Sequence, residues 1–336
     1  MTTTVPSPGS DAAQVGPPVP FDPELAAALD VIRDRMPATI TADMVPMFRA
    51  AQAEAGDLSD EQLSLNGKFD VSERSVPGPA GAPDISLLIC RPVSASTAVP
   101  AVYFIHGGGM VIGTNRGQGI TNVLDCAAQL GVAVVSVQYR LAPEHPHPAP
   151  VEDCYAGLVW TVEHADELGI DPSRIVVSGA SAGGGLAAAT ALLARDRSGP
   201  ELIGQLLLCP MLDDRNNSYS ARQMTGLGIW DRGFNQVGWT ALLGEAQGGP
   251  DVSPYAAPAR ATDLSGLPPT FIDVGSAETF RDEAVDYAAR IWRAGGSAEL
   301  HVWPGGFHGF VLLASQAAIS QAAQAAVLSW LSRVMS

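Results

Sequence analysis

The pentapeptide Gly-Ala-Ser-Ala-Gly at residues 179–183 constrains the fold more than any other part of the chain. An apolar run at residues 174–178 precedes it, and an Ala/Leu-rich run typical of a helix follows it. Between a strand and a helix, Gly-x-Ser-x-Gly forms a sharp turn that holds its serine in a strained conformation. The pattern therefore predicts that Ser181 projects from the end of a strand as a nucleophile.

Strand-like and helical runs alternate along the chain from about residue 68 onward. The predicted strands cover residues 85–90, 101–105, 132–139, 175–178, 206–209, 270–274 and 299–303, and helical patterns include residues 151–169, 184–194 and 282–295. Strands that alternate with helices favour a parallel sheet covered on both faces. The predicted fold class is therefore α/β, with a mostly parallel central sheet and helices on both of its faces.

Composition divides the chain into three regions. Residues 1–20 are rich in Thr, Pro, Ser and Gly, which favours a mobile tail. Residues 21–60 contain two helical patterns with no strand beside them, so we expect cap helices over the α/β domain, residues 61–336. Residues 215–249 interrupt the alternation without a strand, which predicts a helical cap insertion above the sheet.

Charge and composition argue against several classes of protein. The formal net charge is −16 with only 19 scattered Lys and Arg residues, whereas a nucleic-acid backbone requires clustered cations. A secretory signal would require basic residues near the N-terminus, but no Lys or Arg precedes Arg33. No apolar run approaches the length of a membrane span. The four cysteines are far apart and are expected to be reduced core residues. We therefore expect a cytoplasmic protein that neither binds nucleic acid nor inserts stably into a membrane.

A nucleophilic serine needs a base, and two histidines follow Ser181 in the sequence. His301 lies inside the predicted strand 299–303, where a histidine is usually structural. His308 lies in the loop Pro-Gly-Gly-Phe-His-Gly-Phe at residues 304–310, whose glycines let an imidazole reach over the end of the sheet. We therefore predict that His308 is the base.

The acid that orients this base is expected after the strand 270–274, where two carboxylates compete for the role. Glu278 lies four residues past the strand, whereas Asp282 lies in the first turn of a predicted helix, where acids are common for dipole reasons alone. The acid accepts the imidazole Nδ1–H and stabilises the imidazolium. Glu278 is the predicted acid, and Asp282 is the main alternative.

A His-Gly-Gly-Gly sequence at residues 106–109 follows the predicted strand 101–105 directly. Consecutive glycines let the backbone approach a substrate, and backbone N–H groups can stabilise the oxyanion of a tetrahedral intermediate. Alone, this sequence would equally fit an ordinary flexible turn. Because one reaction needs both this loop and the serine turn, the two together indicate acyl transfer.

These motifs together resemble those of the bacterial hormone-sensitive lipase-like (family IV) carboxylesterases of the α/β-hydrolase superfamily. The resemblance covers about residues 68–336 and rests on HGGG at 106–109, YRLAPE at 139–144, GASAGG at 179–184, SPYAAP at 253–258, and ETFRDE at 278–283 followed by HG at 308–309. It implies an α/β-hydrolase fold and a serine carboxylesterase for short to medium acyl esters. It also implies Ser181 as nucleophile, His308 as base, and an oxyanion hole formed by the N–H groups of Gly108, Gly109 and Ala182.

Two positions depart from the commonest form of this family. Ala180 and Glu278 each stand where many members have Asp, and Glu278 is longer than Asp by one methylene. In the family, the side chain at His106 would hold the glycine loop rather than react. No metal or organic cofactor is expected. The expected partner is a small-molecule ester, and the chain is expected to be a monomer or a homodimer.

Candidate pocket residues are those that lie beside the predicted site or in its cap: Met110, Trp230, Phe307 and Phe310. Met110 follows the glycine loop, and Phe307 and Phe310 flank the base. Aromatic residues of a helical cap more often pack within the cap than line a pocket, so Trp230 could have either role.

Other functions fit the sequence less well. Residues 183–188 match Gly-x-Gly-x-x-Ala, but the acidic residue of a dinucleotide site is missing after the next strand. His145 and His147 lie in a proline-rich loop without a metal-ligand pattern. The alternatives that stay open are a small-ligand binding protein on an inactive hydrolase fold and a hydrolase of lactones or amides. The presence of both Ser181 and His308 favours catalysis over binding alone.

Overall fold

A central sheet with helices on both faces forms the body of the protein, and the computed structural model describes residues 15–34 and 40–336. The strands are β1 (Phe69–Val76), β2 (Ile85–Pro92), β3 (Val99–Ile105), β4 (Ala133–Gln138), β5 (Ile170–Ala180), β6 (Gly204–Leu208), β7 (Thr270–Gly275) and β8 (Ala298–Trp303). The helices of the described ranges are α1 (Pro23–Arg33), α2 (Val45–Ala55), α3 (Asp60–Leu63), α4 (Thr121–Leu130), α5 (Ala149–Glu163), α6 (Ala165–Leu168), α7 (Ala182–Asp196), α8 (Tyr219–Gln223), α9 (Arg232–Leu243), α10 (Arg281–Arg293), α11 (Phe310–Leu313) and α12 (Ala318–Val334).

The order of the strands brings several loops to one edge of the sheet. The order is β1-β2-β4-β3-β5-β6-β7-β8, in which β2 is antiparallel to both of its neighbours and the strands from β4 to β8 are parallel. The carboxyl ends of β3, β5, β6, β7 and β8 therefore meet at the same edge, where ligands of open α/β sheets bind. The predicted α/β fold is confirmed.

All seven predicted strands are present, whereas β1 was not predicted from the sequence. The strand β1 lies at the edge of the sheet and pairs only with β2. Its sequence, Phe-Asp-Val-Ser-Glu-Arg-Ser-Val, is buried only at its two ends, because solvent covers most of an edge strand. Polar edge strands lack the apolar run by which buried parallel strands are recognised.

The hydrophobic core has one layer on each face of the sheet. Helices α5, α7 and α10 pack on one face, and α4 and α12 pack on the other. In β3 every residue after Val99 is buried, as expected for a parallel strand that is covered on both sides. The two layers hold the carboxyl ends of the strands in place, and these ends carry the site.

The two N-terminal helices lie on the loops at this edge. Asp22 caps α1 by accepting hydrogen bonds from the N–H groups of Glu24 and Leu25. Buried leucines of α1, Leu25 and Leu29, pack with Phe307 and with neighbours in α11 and α12. Helix α1 therefore supports the loop that contains His308, while α2 lies against the loop after β3.

Residues 215–249 contain α8, α9 and a short 3-10 helix, Gly244–Ala246, with turns between them and no strand. Residues 1–14 of the predicted mobile tail lie outside the described residues. Farther along, the Gly16 N–H donates to the Tyr219 hydroxyl at 2.7 Å, and the Gln223 side chain donates to the Pro17 carbonyl at 2.6 Å. The end of the predicted tail is thus bound to α8. Among the helices of residues 15–34 and 40–336, none combines the length and the apolar character of a membrane span.

Candidate active site

Ser181 occupies a strained turn between β5 and α7. Its backbone has φ 59° and ψ −122°, a region that is sparsely populated by L-residues and costs about 1–3 kcal/mol. A Cβ atom at Gly179 would lie 2.1 Å from the carbonyl oxygen of Gly183, and one at Gly183 would lie 2.0 Å from that of Ile105. The small residues around the serine are therefore required by backbone contacts.

A hydrogen-bonded chain connects Ser181 to a histidine and a carboxylate. The Ser181 hydroxyl lies 2.9 Å from His308 Nε2, and His308 Nδ1 lies 3.2 Å from Glu278 Oε2. The exposed fractions are 9% for Ser181, 8% for His308 and 3% for Glu278, so the three side chains interact largely away from water. In the neutral imidazole, Nδ1–H donates to Glu278 and Nε2 accepts the hydroxyl proton, which is the geometry of an activated serine.

Of the two competing carboxylates, Glu278 contacts the base and Asp282 does not. Asp282 instead accepts a hydrogen bond from the Ser220 N–H at 2.6 Å and pairs with Arg281 at 2.8 Å. These contacts connect the start of α10 to α8. His301 does not line the cavity that opens at Ser181 and stacks against Phe271 and Trp303, as expected for a structural residue of a strand.

The environment of His308 favours its protonated form. Burial by itself would lower the pKa of His308, but Cys209 and the Glu278 carboxylate lie next to the ring, and the pKa is raised above its usual value. The thiol of Cys209 has a raised pKa because it is buried, and interaction with His308 opposes that rise. The base therefore becomes neutral at a higher pH than a free imidazole does.

The glycine loop after β3 lies against the serine turn and contains backbone N–H groups without an acceptor among the described residues. Gly108 and Gly109 have φ values of 109° and 61°, and among the described residues their N–H groups donate to no protein acceptor. Ala182 is the first residue of α7, where a backbone N–H has no partner within the helix. A Cβ atom at Gly107 would lie 2.8 Å from the Ala180 carbonyl, so the loop packs directly on the serine turn. The three N–H groups at Gly108, Gly109 and Ala182 are thus free to bind an oxyanion.

Two sets of contacts hold this loop in place. On its inner side, His106 stacks on Tyr139 with ring centroids 4.1 Å apart, and burial lowers the pKa of His106 to about 4. On its outer side, Arg49 of α2 donates to the Val111 carbonyl at 2.7 Å, and the Gln52 side chain accepts from the Gly113 N–H at 2.9 Å. A neutral, stacked His106 supports the loop and has no contact with Ser181 that would make it a base.

A cavity of about 400 Å³ opens at Ser181. Its lining comes from the end of α2 and the loop 106–119 on one side, and from β6, β7, the loop 308–312 and α12 on the other. Of the four candidate pocket residues, Phe310 lines this cavity. Met110 and Phe307 are fully buried in the core, and Trp230 stands over Gly109, where an added Cβ would lie 2.3 Å from the indole. The Trp230 and His308 ring centroids are 6.5 Å apart, so Trp230 borders the site without lining the cavity.

Several residues of the site were not predicted from the sequence. Arg49 and Gln52 lie on a helix far from the motifs, and Asp273 lies inside the predicted strand 270–274. Cys209 was expected to be a core residue, but it lines the cavity beside His308. Its position directly after an apolar strand that ends at the site edge is the signal by which it could have been found.

Comparison with known proteins gives the family. A family model described as the α/β-hydrolase fold matches residues 102–312, which include the glycine loop, the serine turn and the histidine loop. The chain belongs to this family. The branch predicted from the motifs, the hormone-sensitive lipase-like carboxylesterases, is confirmed by the relatives that follow.

Members of this α/β-hydrolase family resemble the chain over most of its length. Carboxylesterase NlhH of Mycobacterium tuberculosis is 37% identical over 297 residues, which are 86% of this chain and 89% of NlhH. Two solved structures are also similar. Bacterial Heroin Esterase has a TM-score of 0.84 and 42% identity, covering 94% of this chain and 98% of its own. Esterase LipW from Mycobacterium marinum has a TM-score of 0.81 and 35% identity, covering 95% of this chain and 98% of its own.

Proposed function

We propose that this α/β-hydrolase is a serine carboxylesterase that acts through an acyl-enzyme intermediate. The observation that carries the proposal is the unbroken chain of contacts from Ser181 through His308 to Glu278, beside a loop of free backbone N–H groups. The relatives named above are carboxylesterases and esterases, which places this chain in the same class of carboxylic-ester hydrolases.

In the first half of the reaction, His308 accepts the Ser181 proton while Oγ attacks the ester carbonyl. The N–H groups of Gly108, Gly109 and Ala182 donate to the oxyanion, and Glu278 stabilises the imidazolium. His308 then protonates the alcohol as it leaves. In the second half, the same imidazole takes a proton from the water that attacks the acyl-enzyme, and it returns this proton to Ser181 Oγ as the acid is released. Every proton transfer uses His308, so this chemistry requires no cofactor.

The cavity supports a short or medium acyl ester as substrate. Its volume of about 400 Å³ lies at the lower end of the range for small-ligand sites, about 300–1,000 Å³. Most of the side chains that line it are apolar or uncharged. A cytoplasmic location and a monomeric or homodimeric state belong to the same proposal.

Hydrolysis of p-nitrophenyl esters of increasing acyl length tests this function. We expect release of p-nitrophenol that is fastest for short or medium chains, and a fall of at least about 10⁴-fold in kcat for Ser181→Ala. Ser178→Ala is the matched control, because Ser178 lies in β5, the strand that precedes Ser181, is fully buried, and does not line the cavity. Turnover that persists in Ser181→Ala but not in Ser178→Ala would overturn the proposed nucleophile.

A further inference from the structure

Two carboxylates line the cavity at Ser181. Asp57, two residues after the end of α2, and Asp273, in β7, both line it. No Lys or Arg is among its lining residues in the part of the chain that the structure describes. Apart from its histidines, the cavity is thus acidic at two points and apolar or neutral elsewhere.

Asp273 lies in the wall of this cavity and is only partly satisfied there. It is 5% exposed, and the Trp303 indole N–H donates to its Oδ2 at 3.3 Å. Within residues 15–34 and 40–336, its Oδ1 accepts no side-chain hydrogen bond. Asp57 differs, because the Thr114 hydroxyl donates to its carboxylate and the aspartate itself is exposed. Of these two carboxyls, Asp273 is therefore the buried one, and its Oδ1 has no side-chain partner among the described residues.

Electrostatics make this position favourable for a cation. Burial raises the pKa of Asp273 to about 7 and the nearby Glu278 adds to the rise, whereas the Trp303 indole, the Cys209 backbone N–H and His301 oppose it. A buried carboxylate is unfavourable unless it is paired, so an ammonium group that reaches Asp273 would be paired as it loses its own hydration. The same carboxylate would repel an anionic ligand.

Asp273 is within reach of a small substrate at Ser181. Ala180, which precedes the nucleophile, is in register with Leu208 of β6, and Leu208 is in register with Asp273 of β7. Adjacent strands are about 4.8 Å apart, so the backbones at Ala180 and Asp273 are separated by about 10 Å. A short chain can connect an ester carbonyl at Ser181 to an ammonium group at Asp273.

We propose that Asp273 selects esters that carry an ammonium group, which contacts its carboxylate while the ester carbonyl lies in the oxyanion loop. The inference rests on the proposed esterase function and adds a substrate class to it. Asp273 acts as a specificity residue and takes no part in bond breaking.

Pairs of esters with the same shape and different charge test this inference. Choline butyrate is compared with 3,3-dimethylbutyl butyrate, in which a tert-butyl group replaces trimethylammonium. A second pair carries the same two groups on the acyl side of an ethyl ester. In at least one pair we expect kcat/KM to be about tenfold or more higher for the cationic ester, as close charge pairs contribute in other complexes.

The variant Asp273→Asn should bring this ratio close to one, and Asp57→Asn, at the exposed carboxylate, should leave it near the wild-type value. A ratio is used because a general loss of activity or folding affects both esters equally. If Asp273 only positioned Trp303, its replacement would change both rates and leave their ratio in place. Loss of the ratio in Asp57→Asn instead would overturn the assignment to Asp273.

The pH dependence of the wild-type ratio is a test that needs no variant. Asp273 is protonated below its pKa, so the preference for the cationic ester should grow from about pH 6 to about pH 9. The other titratable groups near Asp273 are Glu278, Cys209 and His301, and those facing the cavity are Asp57, His106 and His308. Titration of His308 cancels in the ratio because both esters need it. The quaternary group itself does not titrate.

The outcomes separate this inference from the proposed function. If the neutral esters are hydrolysed with no preference for the cation in either pair, the inference is overturned and the esterase function stands. If no ester is hydrolysed, both fall. A cationic preference that disappears in Asp273→Asn and grows with pH supports the inference.

Discussion

The two halves of the active site are held in different ways. Ser181, His308 and Glu278 come from the ends of three strands and are connected by contacts between side chains. The glycine loop at 106–109 instead presents backbone groups, and its shape depends on glycine conformations and on contacts from α2. Chemical identity is therefore critical in the first half, and backbone shape is critical in the second.

This difference predicts how each half fails. In the side-chain half, a substitution of nearly identical shape should remove activity while the fold persists. In the loop half, the added volume of a single side-chain carbon at a glycine should remove activity and also lower the stability of the fold. Four expectations follow from the contacts, in order of decreasing effect.

The largest effect is expected from Glu278→Gln, which keeps the shape of the acid and removes its charge. Loss of the carboxylate leaves the imidazolium unstabilised and the tautomer unspecified, so kcat should fall by about 10³-fold or more. Asp282→Asn is the control, because Asp282 bonds to Ser220 and not to the base. Asp282→Asn should change kcat by less than about tenfold and lower the free energy of unfolding by about 1 kcal/mol. The opposite ranking would make Asp282 the acid.

Gly108→Ala is expected to disrupt the loop half. The residue has φ 109°, and a Cβ atom would lie 2.1 Å from the carbonyl oxygen of Ile112. Displacement of an oxyanion donor should lower kcat by about 10²-fold to 10³-fold. Gly131→Ala is the control, because Gly131 also has a positive φ, 68°, but nothing lies near its Cβ position. Steady-state kinetics and thermal melting of both variants check this, and activity of Gly108→Ala within tenfold of wild type would contradict it.

Arg49→Met tests whether α2 sets the shape of the loop. The guanidinium donates to the carbonyls of Val111 and Ala142, each at 2.7 Å, and also pairs with Glu144. Loss of these charge-assisted bonds should destabilise the loop by about 1.5–3 kcal/mol and lower kcat/KM. The Glu144 carboxylate is 56% exposed, so Glu144→Gln should change stability by less than about 1 kcal/mol. Equal effects of the two variants would show that only the ion pair matters.

The smallest expected effect is a difference between the two halves of the active site in the pH dependence of kcat/KM. The pKa of His308 is raised above the usual 6.5, and the base works only when neutral. Activity is therefore present above that pKa and lost as the pH falls through it, so the acid limb of kcat/KM should lie above pH 6.5. Residual activity of Glu278→Gln should have this limb at lower pH, whereas Arg49→Met should leave it in place. A wild-type limb below pH 6.5 would contradict the raised pKa.

Local sequence patterns predicted much of both halves of the active site. The serine turn and the glycine loop are recognisable because backbone geometry allows few residues there: Gly179 and Gly183 have no room for a Cβ atom. His308 was found by its glycine-rich loop. Glu278 could be preferred but not separated from Asp282, because two carboxylates four residues apart near a helix start look alike until their partners are known.

The contacts of Arg49, Cys209 and Asp273 could not be predicted in this way. Arg49 lies 62 residues before its partner Val111, and nothing near either residue indicates the other. Cys209 and Asp273 face the cavity because β6 and β7 are neighbours in register. Tertiary packing also decided which predicted pocket residues line the cavity. Met110 is next to the site in sequence, yet its side chain is buried in the core.

By itself, the sequence determined the α/β fold, the strained serine between β5 and α7, and the glycine loop, because steric limits on the backbone act within a few residues. Only the tertiary structure decided which carboxylate meets His308, which helix supports the loop, and which side chains line the cavity. Those outcomes depend on the order of strands in the sheet and on packing between residues that are distant in the chain. The loop after β3 lies at the open edge of the folded sheet, where α2, a helix near the start of the chain, can pack against it and support it.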